Sequence, residues 1–141
     1  MATSAERRRE LGRRGEDLAA AWYEARGYTV VARNWSCAAG ELDIVAVKGA
    51  RYVFCEVKAR SSVAFGHPSE AVGPKKQARL RRLAAMWLAA MRSGKAGAGA
   101  QGLGRGARSA PFDVPFDVPF DVRFDVVSVL AGEVEVIEDA F

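Results

Sequence analysis

Hydrophobic residues recur at helical spacing near the start of the chain and again past its middle, and alternate with polar residues elsewhere. Over residues 5–26, Leu11, Leu18, Trp22 and Ala25 fall on one stripe and Gly27 supplies a stop, which predicts an amphipathic helix. Gly12 and Gly15 are poor helix formers, expected where that helix packs closely against a sheet. Pro74 opens a second predicted helix over 75–93, as proline does in a first turn. Its apolar stripe is Leu80, Leu83, Ala84, Trp87, Leu88 and Met91, which assigns Trp87 to the core rather than to base stacking. Strands are expected at Tyr28–Arg33, around 41–47 and 52–58, at 123–130 and at Val134–Ile137. Ser61–Gly73 reads as a loop with a short helix at Ser69–Val72.

The stretch Gly94–Ala110 is rich in glycine and alanine, and Leu103 is its one large apolar residue, so it reads as a linker. Pro-Phe-Asp-Val then occurs three times over 111–122, followed by Arg-Phe-Asp-Val at 123–126. A proline every fourth residue removes ladder donors. The strand is therefore assigned to the fourth copy, which lacks proline and continues into Val127-Ser128-Val129-Leu130. The earlier copies resemble a tandem duplication, and their period invites register slippage. A docking motif is the alternative reading for them.

The chemistry concentrates in the two central strands. Lys48-Gly49-Ala50 is a turn signal, so residues 41–47 and 52–58 form a hairpin. Alternation puts Glu56 and Lys58 on one face with Tyr52 and Phe54, while Val53, Cys55 and Val57 face the other way. In the preceding strand Glu41, Asp43, Val45 and Val47 share a face, opposite Leu42, Ile44 and Ala46. Pairing Lys48 with Arg51, or Val47 with Tyr52, sets Asp43 opposite Glu56 and Glu41 opposite Lys58; a one-residue bulge separates the two acids. Two carboxylates directly opposed repel, and a hard divalent cation such as Mg²⁺ or Mn²⁺ offsets that repulsion. Such an ion polarises a phosphate and acidifies a bound water. A solvated hairpin face with an ordinary Glu41–Lys58 pair is the competing reading. Glu16 lies beside the stripe of the first helix, where it either looks toward the hairpin or is an ordinary exposed acid.

These motifs resemble a known family. The runs Gly-Glu-Leu-Asp-Ile-Val-Ala (40–46) and Tyr-Val-Phe-Cys-Glu-Val-Lys-Ala-Arg (52–60) are similar to the PD-(D/E)xK nuclease superfamily. More narrowly, they resemble the YraN-type proteins of the UPF0102 family, distantly similar to archaeal Holliday junction resolvases. Supporting matches are G-R-R-G-E-D-L-A-A (12–20), G-Y-T-V-V-A-R-N-W (27–35), F-G-H-P-S-E-A-V (65–72), K-Q-A-R-L (76–80) and R-F-D-V-V (123–127). The resemblance covers about residues 8–93 and 122–138. It implies a restriction-endonuclease-like α/β fold, a small mixed β-sheet flanked by helices, and nuclease activity. It implies Asp43 and Glu56 as metal ligands, Glu16 as a third acid of the cluster and Lys58 as the catalytic lysine. Glu41 and Arg60 would flank the site. Cys55 stands where a valine-like residue is expected, a neutral exchange on a buried face.

Length and charge bound the rest. A chain of 141 residues, 50% hydrophobic, suits one globular domain rather than a disordered chain. No apolar stretch approaches the roughly 18 residues of a membrane span. The N-terminal residues lack the apolar core of a secretory signal. Cys37 and Cys55 make no metal motif and are expected as free thiols in a reducing cytoplasm. His67 is expected on a surface loop. The net charge of +4 is unevenly distributed. Lys75, Lys76, Arg79, Arg81, Arg82 and Arg92 occur with no acid among them, and Arg7, Arg8, Arg9, Arg13 and Arg14 form a second basic cluster. On the second helix Lys75, Arg79 and Arg82 form an edge suited to a nucleic-acid backbone, with Lys76 beside them. The expected partner is DNA, and action on a four-way junction implies a two-fold homodimer, for which no segment announces an interface. A non-catalytic nucleic-acid-binding module and an adaptor that docks through the repeats are the alternatives.

Overall fold

A computed structural model describes residues 1–60, 72–93 and 121–141. Its strands are built from β-branched and aromatic residues at positions facing both ways, so the sheet is apolar on both sides and needs a helix on each. In chain order the elements are α1 (Ser4–Ala25), β1 (Thr29–Cys37), β2 (Gly40–Lys48), β3 (Arg51–Arg60), α2 (Pro74–Arg92), β4 (Asp121–Leu130) and β5 (Glu133–Ile137). The strands lie side by side in the order β1-β2-β3-β4-β5. Neighbours are antiparallel except β3 and β4, which are parallel and joined through α2. A parallel pair requires such a crossover. α1 covers Ile44, Ala46, Val53, Cys55, Val127 and Val129; α2 covers Val45, Val47, Tyr52, Phe54 and Val126 on the opposite face. This is the small mixed sheet flanked by helices that the sequence led us to expect, a restriction-endonuclease-like α/β arrangement. Among the described residues, no helix is long and apolar enough to cross a membrane.

α2 buries the expected stripe: Leu80, Leu83, Ala84 and Trp87 lie in the core, with Leu88 and Met91 packed at its edge. α1 does not. It buries Gly15, Ala19, Ala20 and Tyr23, whereas Leu18 and Ala25 are exposed. The small residues decide this. A Cβ on Gly15 would lie 2.8 Å from the Ala59 Cβ of β3, so only glycine lets the helix approach that strand so closely. Gly12, expected to serve the same purpose, has open space around it. The helix starts at Ser4 because Thr3 and Glu6 form a capping box: Glu6 N donates to Thr3 Oγ1 (3.1 Å) and Thr3 N to Glu6 Oε2 (2.6 Å).

β1 runs past the expected Arg33 to Cys37, and β4 begins two residues before 123. The added start of β4 is held by Asp121, whose N–H donates to Ala50 O (3.0 Å) and whose carboxylate pairs with Arg51 (2.8 Å). The linker 94–110, the repeats up to residue 120, the short helix expected at 69–72 as far as Glu70–Ala71, and His67 lie outside the described residues. Cys37 and Cys55 are free thiols on opposite faces of the sheet.

Asp125, which the sequence did not single out, is fully buried on the α1 face. Its carboxylate accepts two bonds from Arg123 (2.9 Å each), one from the Tyr23 hydroxyl (2.6 Å) and one from Asp139 N (3.0 Å). Burial pushes the Tyr23 phenol far above its ordinary range, so it acts as a donor throughout the working pH range. These contacts also select among the repeats. A slip by one repeat brings Asp121 to the buried position with Pro119 in place of Arg123, leaving the carboxylate without its guanidinium.

Two measurements check this packing. Asp125→Ala is expected to lower stability by about 3 kcal/mol in urea titrations, because Arg123 and Tyr23 lose their buried partner. A loss under about 1 kcal/mol would contradict the register argument. Gly15→Ala should destabilise by about 1–3 kcal/mol through overpacking. Gly12→Ala should stabilise by about 0.5–1 kcal/mol through helix propensity alone. Equal effects of the two substitutions would mean that α1 does not rest on β3 as described.

Candidate metal centre

The hairpin pairing runs from Lys48↔Arg51 through Val47↔Tyr52 to Ile44↔Cys55 and stops there, one step short of Asp43 and Glu56. The break has a local cause. On β2, Val45 and Val47 face α2 and Ile44 and Ala46 face α1, yet Leu42 faces α2 rather than joining Ile44. On β1, Ala32 and Trp35 both face α2, although three positions separate them. The paired positions are Arg33↔Ile44 and then Trp35↔Leu42, so Asn34 and Asp43 fall between ladder rungs. Asn34 has φ 52°, a left-handed conformation that asparagine tolerates better than most residues. It reverses the alternation of β1, and β2 follows.

Asp43 is thereby freed from the ladder, and its Oδ2 accepts the Val57 N–H at 2.9 Å, beyond the last residue of β3 that pairs with β2. Glu16 of α1, Glu41 and Asp43 each present a carboxylate oxygen within 4.8 Å of the others. Asn34 Nδ2 donates to Glu16 Oε2 (2.9 Å), which ties α1 to the irregular point of β1. Glu41 therefore gathers with Glu16 and Asp43; the expected pairing with Lys58 is absent, because the ladder ends before reaching it. Glu56 is buried on the α2 side and is held by two ammoniums: Lys76 Nζ at 2.5 Å and Lys58 Nζ at 3.4 Å, both to Oε1.

Electrostatics divides the acids into two groups. Burial first, and then the Glu56 carboxylate, pushes the Asp43 carboxyl up to about 8 from 3.8; Glu16 and Glu41 add to the rise and the Val57 N–H opposes it. Burial also raises Glu16, against the Asn34 hydrogen bond and the Arg33 charge. Lys58 is lowered by burial and by neighbouring Lys76, and Glu56 opposes that shift. Burial and mutual repulsion thus favour the protonated forms of Asp43 and Glu16. All the candidate donors are carboxylate oxygens, a set that fits Mg²⁺ or Mn²⁺ and does not suit a soft, thiolate-seeking metal.

Of the remaining candidates, Lys75, Arg79 and Arg82 are exposed along α2, and Arg60 is half-buried at the end of β3. Lys76 turns inward to Glu56 instead of joining the outer basic edge. Sequence reasoning missed Asn34, whose only signal was its residue type inside the run R-N-W. It also missed the inward turn of Lys76, which depends on where α2 lies.

A raised carboxyl pKa has a defined sign. Between about pH 4 and pH 8 the folded chain retains a proton on Asp43 that the unfolded chain releases, so the metal-free protein loses stability as pH rises through that window. Denaturant midpoints in EDTA should fall from about pH 5 to about pH 8, and Asp43→Asn should remove most of that slope. An unchanged slope in the variant would exclude Asp43 as its source.

The profile of the family described as "Uncharacterised protein family UPF0102" matches residues 15–129, a range that includes Glu16, Glu41, Asp43, Glu56, Lys58 and Lys76. A UPF0102 protein of Beutenbergia cavernae is 62% identical over 79 residues, covering 56% of this chain and 67% of the relative. Another, of Acidothermus cellulolyticus, is 56% identical over 88 residues, 62% of this chain and 67% of the relative. A third, of Leifsonia xyli subsp. xyli, is 56% identical over 78 residues, 55% of this chain and 66% of the relative. The chain spans about two thirds of the length of these curated relatives. With well over half of its residues inside the family match, the chain belongs to the UPF0102 family.

Proposed function

We propose that this protein is a metal-dependent endonuclease of the PD-(D/E)xK type that hydrolyses phosphodiester bonds in DNA. The observation that carries the reading is the half-buried Asp43 carboxylate, with an oxygen within 4.8 Å of those of Glu16 and Glu41 at the gap between β2 and β3 and pushed up to about 8 by burial and by Glu56, which Lys58 holds on β3. Asp43, Glu56 and Glu16 would hold Mg²⁺ or Mn²⁺; Glu41 lies within the Glu16–Asp43 group, while Glu56 stands outside it, held by Lys58 and Lys76. Such an ion, when bound, polarises the phosphate and acidifies a water. Lys58, half-buried and tied to Glu56, has the position to orient the attacking water or to neutralise charge that develops on the phosphate. Lys75, Arg79 and Arg82 follow one edge of α2 and would track the DNA backbone, with Arg60 at the end of β3 beside them. Their contribution should fall steeply with salt through counterion release. Branched repair or recombination intermediates are the substrate class the family resemblance favours, with a two-fold homodimer on a four-way junction.

Labelled duplex, single-stranded, flap and four-way-junction DNA, incubated with Mg²⁺, Mn²⁺ or EDTA, test the proposal. Cutting should require the metal. Asp43→Ala and Glu56→Ala should each reduce it by at least about 10³-fold, and Lys58→Ala by about 10²–10³-fold, with DNA binding largely retained. Undiminished cutting in both acid variants would overturn the site. Binding that ignores Mg²⁺, with no cutting of any substrate, would point instead to a non-catalytic module.

A further inference from the structure

The start of α2 is built against its own electrostatics. A helix N-terminus carries partial positive charge and favours acids. Yet α2 opens Pro74-Lys75-Lys76, has no acid in its first turn, and is preceded by Gly73, which supplies no side-chain cap. The turn is nonetheless anchored: Gln77 Nε2 donates to Val72 O at 2.9 Å, and Val72 is buried in the core beneath α2. Lys75 points to solvent, whereas Lys76 is half-buried with its Nζ 2.5 Å from Glu56 Oε1. Lys58 reaches that same oxygen at 3.4 Å. One buried carboxylate thus has two ammoniums on one oxygen, while Asp43 has no ion pair among the described residues. Lys58 alone balances the charge of Glu56. The second ammonium adds lysine–lysine repulsion and opposes the helix dipole, and what holds it there is the acidic surroundings, the Glu56 carboxylate first and Asp43 behind it.

We infer that Lys76 is a displaceable counter-ion: it holds Glu56 in place when no metal is bound, competes with the metal for that carboxylate, and is released when the metal loads. This rests on the reading of Asp43 and Glu56 as metal ligands. Lys76 is a positioning residue in this role, acting through Glu56. Once released, its ammonium lies at the rim of the site beside Lys75 and Arg79, where a phosphate would be held. Metal loading and readiness for a polyanion are thereby coupled through one side chain.

Calorimetric titration of MnCl₂ into the full chain tests this without reference to cleavage. Lys76→Met should bind Mn²⁺ about tenfold more tightly than the parent, the equivalent of about 1.4 kcal/mol. Lys76→Arg should restore the weaker parental affinity. Lys48→Met, which removes the same charge at the far end of the hairpin, should change affinity less than about twofold. A purely structural Lys76 predicts the reverse sign: loss of the contact loosens Glu56 and weakens Mn²⁺ binding. Unchanged or weaker binding in Lys76→Met, with parental binding that depends on Asp43, overturns the inference and leaves the metal site standing. Parental binding that survives Asp43→Ala removes the metal-site reading itself, and the inference with it. Should Lys76→Met unfold, Lys76→Gln carries the same expectation and the same overturning result.

Discussion

The hydrogen bond from the Val57 N–H to the Asp43 carboxylate, 2.9 Å long, is made where the β2–β3 ladder stops. A backbone donor on an inner strand needs an acceptor, and here a side chain supplies it. That substitution lets the two strands part without leaving Val57 unpaired, and it pins an acidic group inside the sheet. The reversal of alternation at Asn34 makes it geometrically possible. Both strands of the β1–β2 pair step out of phase together there, so their register is kept while Leu42 and Trp35 turn toward α2. The candidate site follows from this irregular point, since Glu16 and Glu41 both bring a carboxylate oxygen within 4.8 Å of that of Asp43.

Charge in the site is balanced unevenly. Glu56 is over-compensated by Lys58 and Lys76, whereas Asp43, Glu16 and Glu41 present carboxylate oxygens within 4.8 Å of one another, relieved by the Val57 N–H, the Asn34 amide and the Arg33 charge. Desolvation makes the ionised forms of Asp43 and Glu16 costly. Repulsion among carboxylates thus gathers beside α1, while two ammoniums converge on one carboxylate beside α2.

The position of α1 and the register of β4 hold this arrangement in place. Gly15 sets how near the helix comes to β3, and hence how near Glu16, the next residue, comes to Asp43. Tyr23, two turns later, reaches across to Asp125 and fastens the same helix to β4. One helix face thus carries a small residue for approach, an acid for the site and a phenol for the lock.

Much of this architecture was already present in the residue pattern. Alternation and the Lys48-Gly49-Ala50 turn defined the hairpin and its register as far as Ile44 and Cys55. Periodicity defined α2 and its core stripe, because large apolar residues dominate both. The buried face of α1 escaped the same argument: close packing there depends on the small side chains of Gly15 and Ala19, which carry almost no hydrophobic signal. Asp43, Glu56 and Lys58 were singled out as candidates by spacing and family resemblance. Their actual grouping was not, because alternation assumes a regular strand and a single residue at positive φ overturns it. Local propensity determined the elements. Only the tertiary structure decided which acids meet and that Lys76 turns inward, since each depends on contacts between residues far apart in the chain.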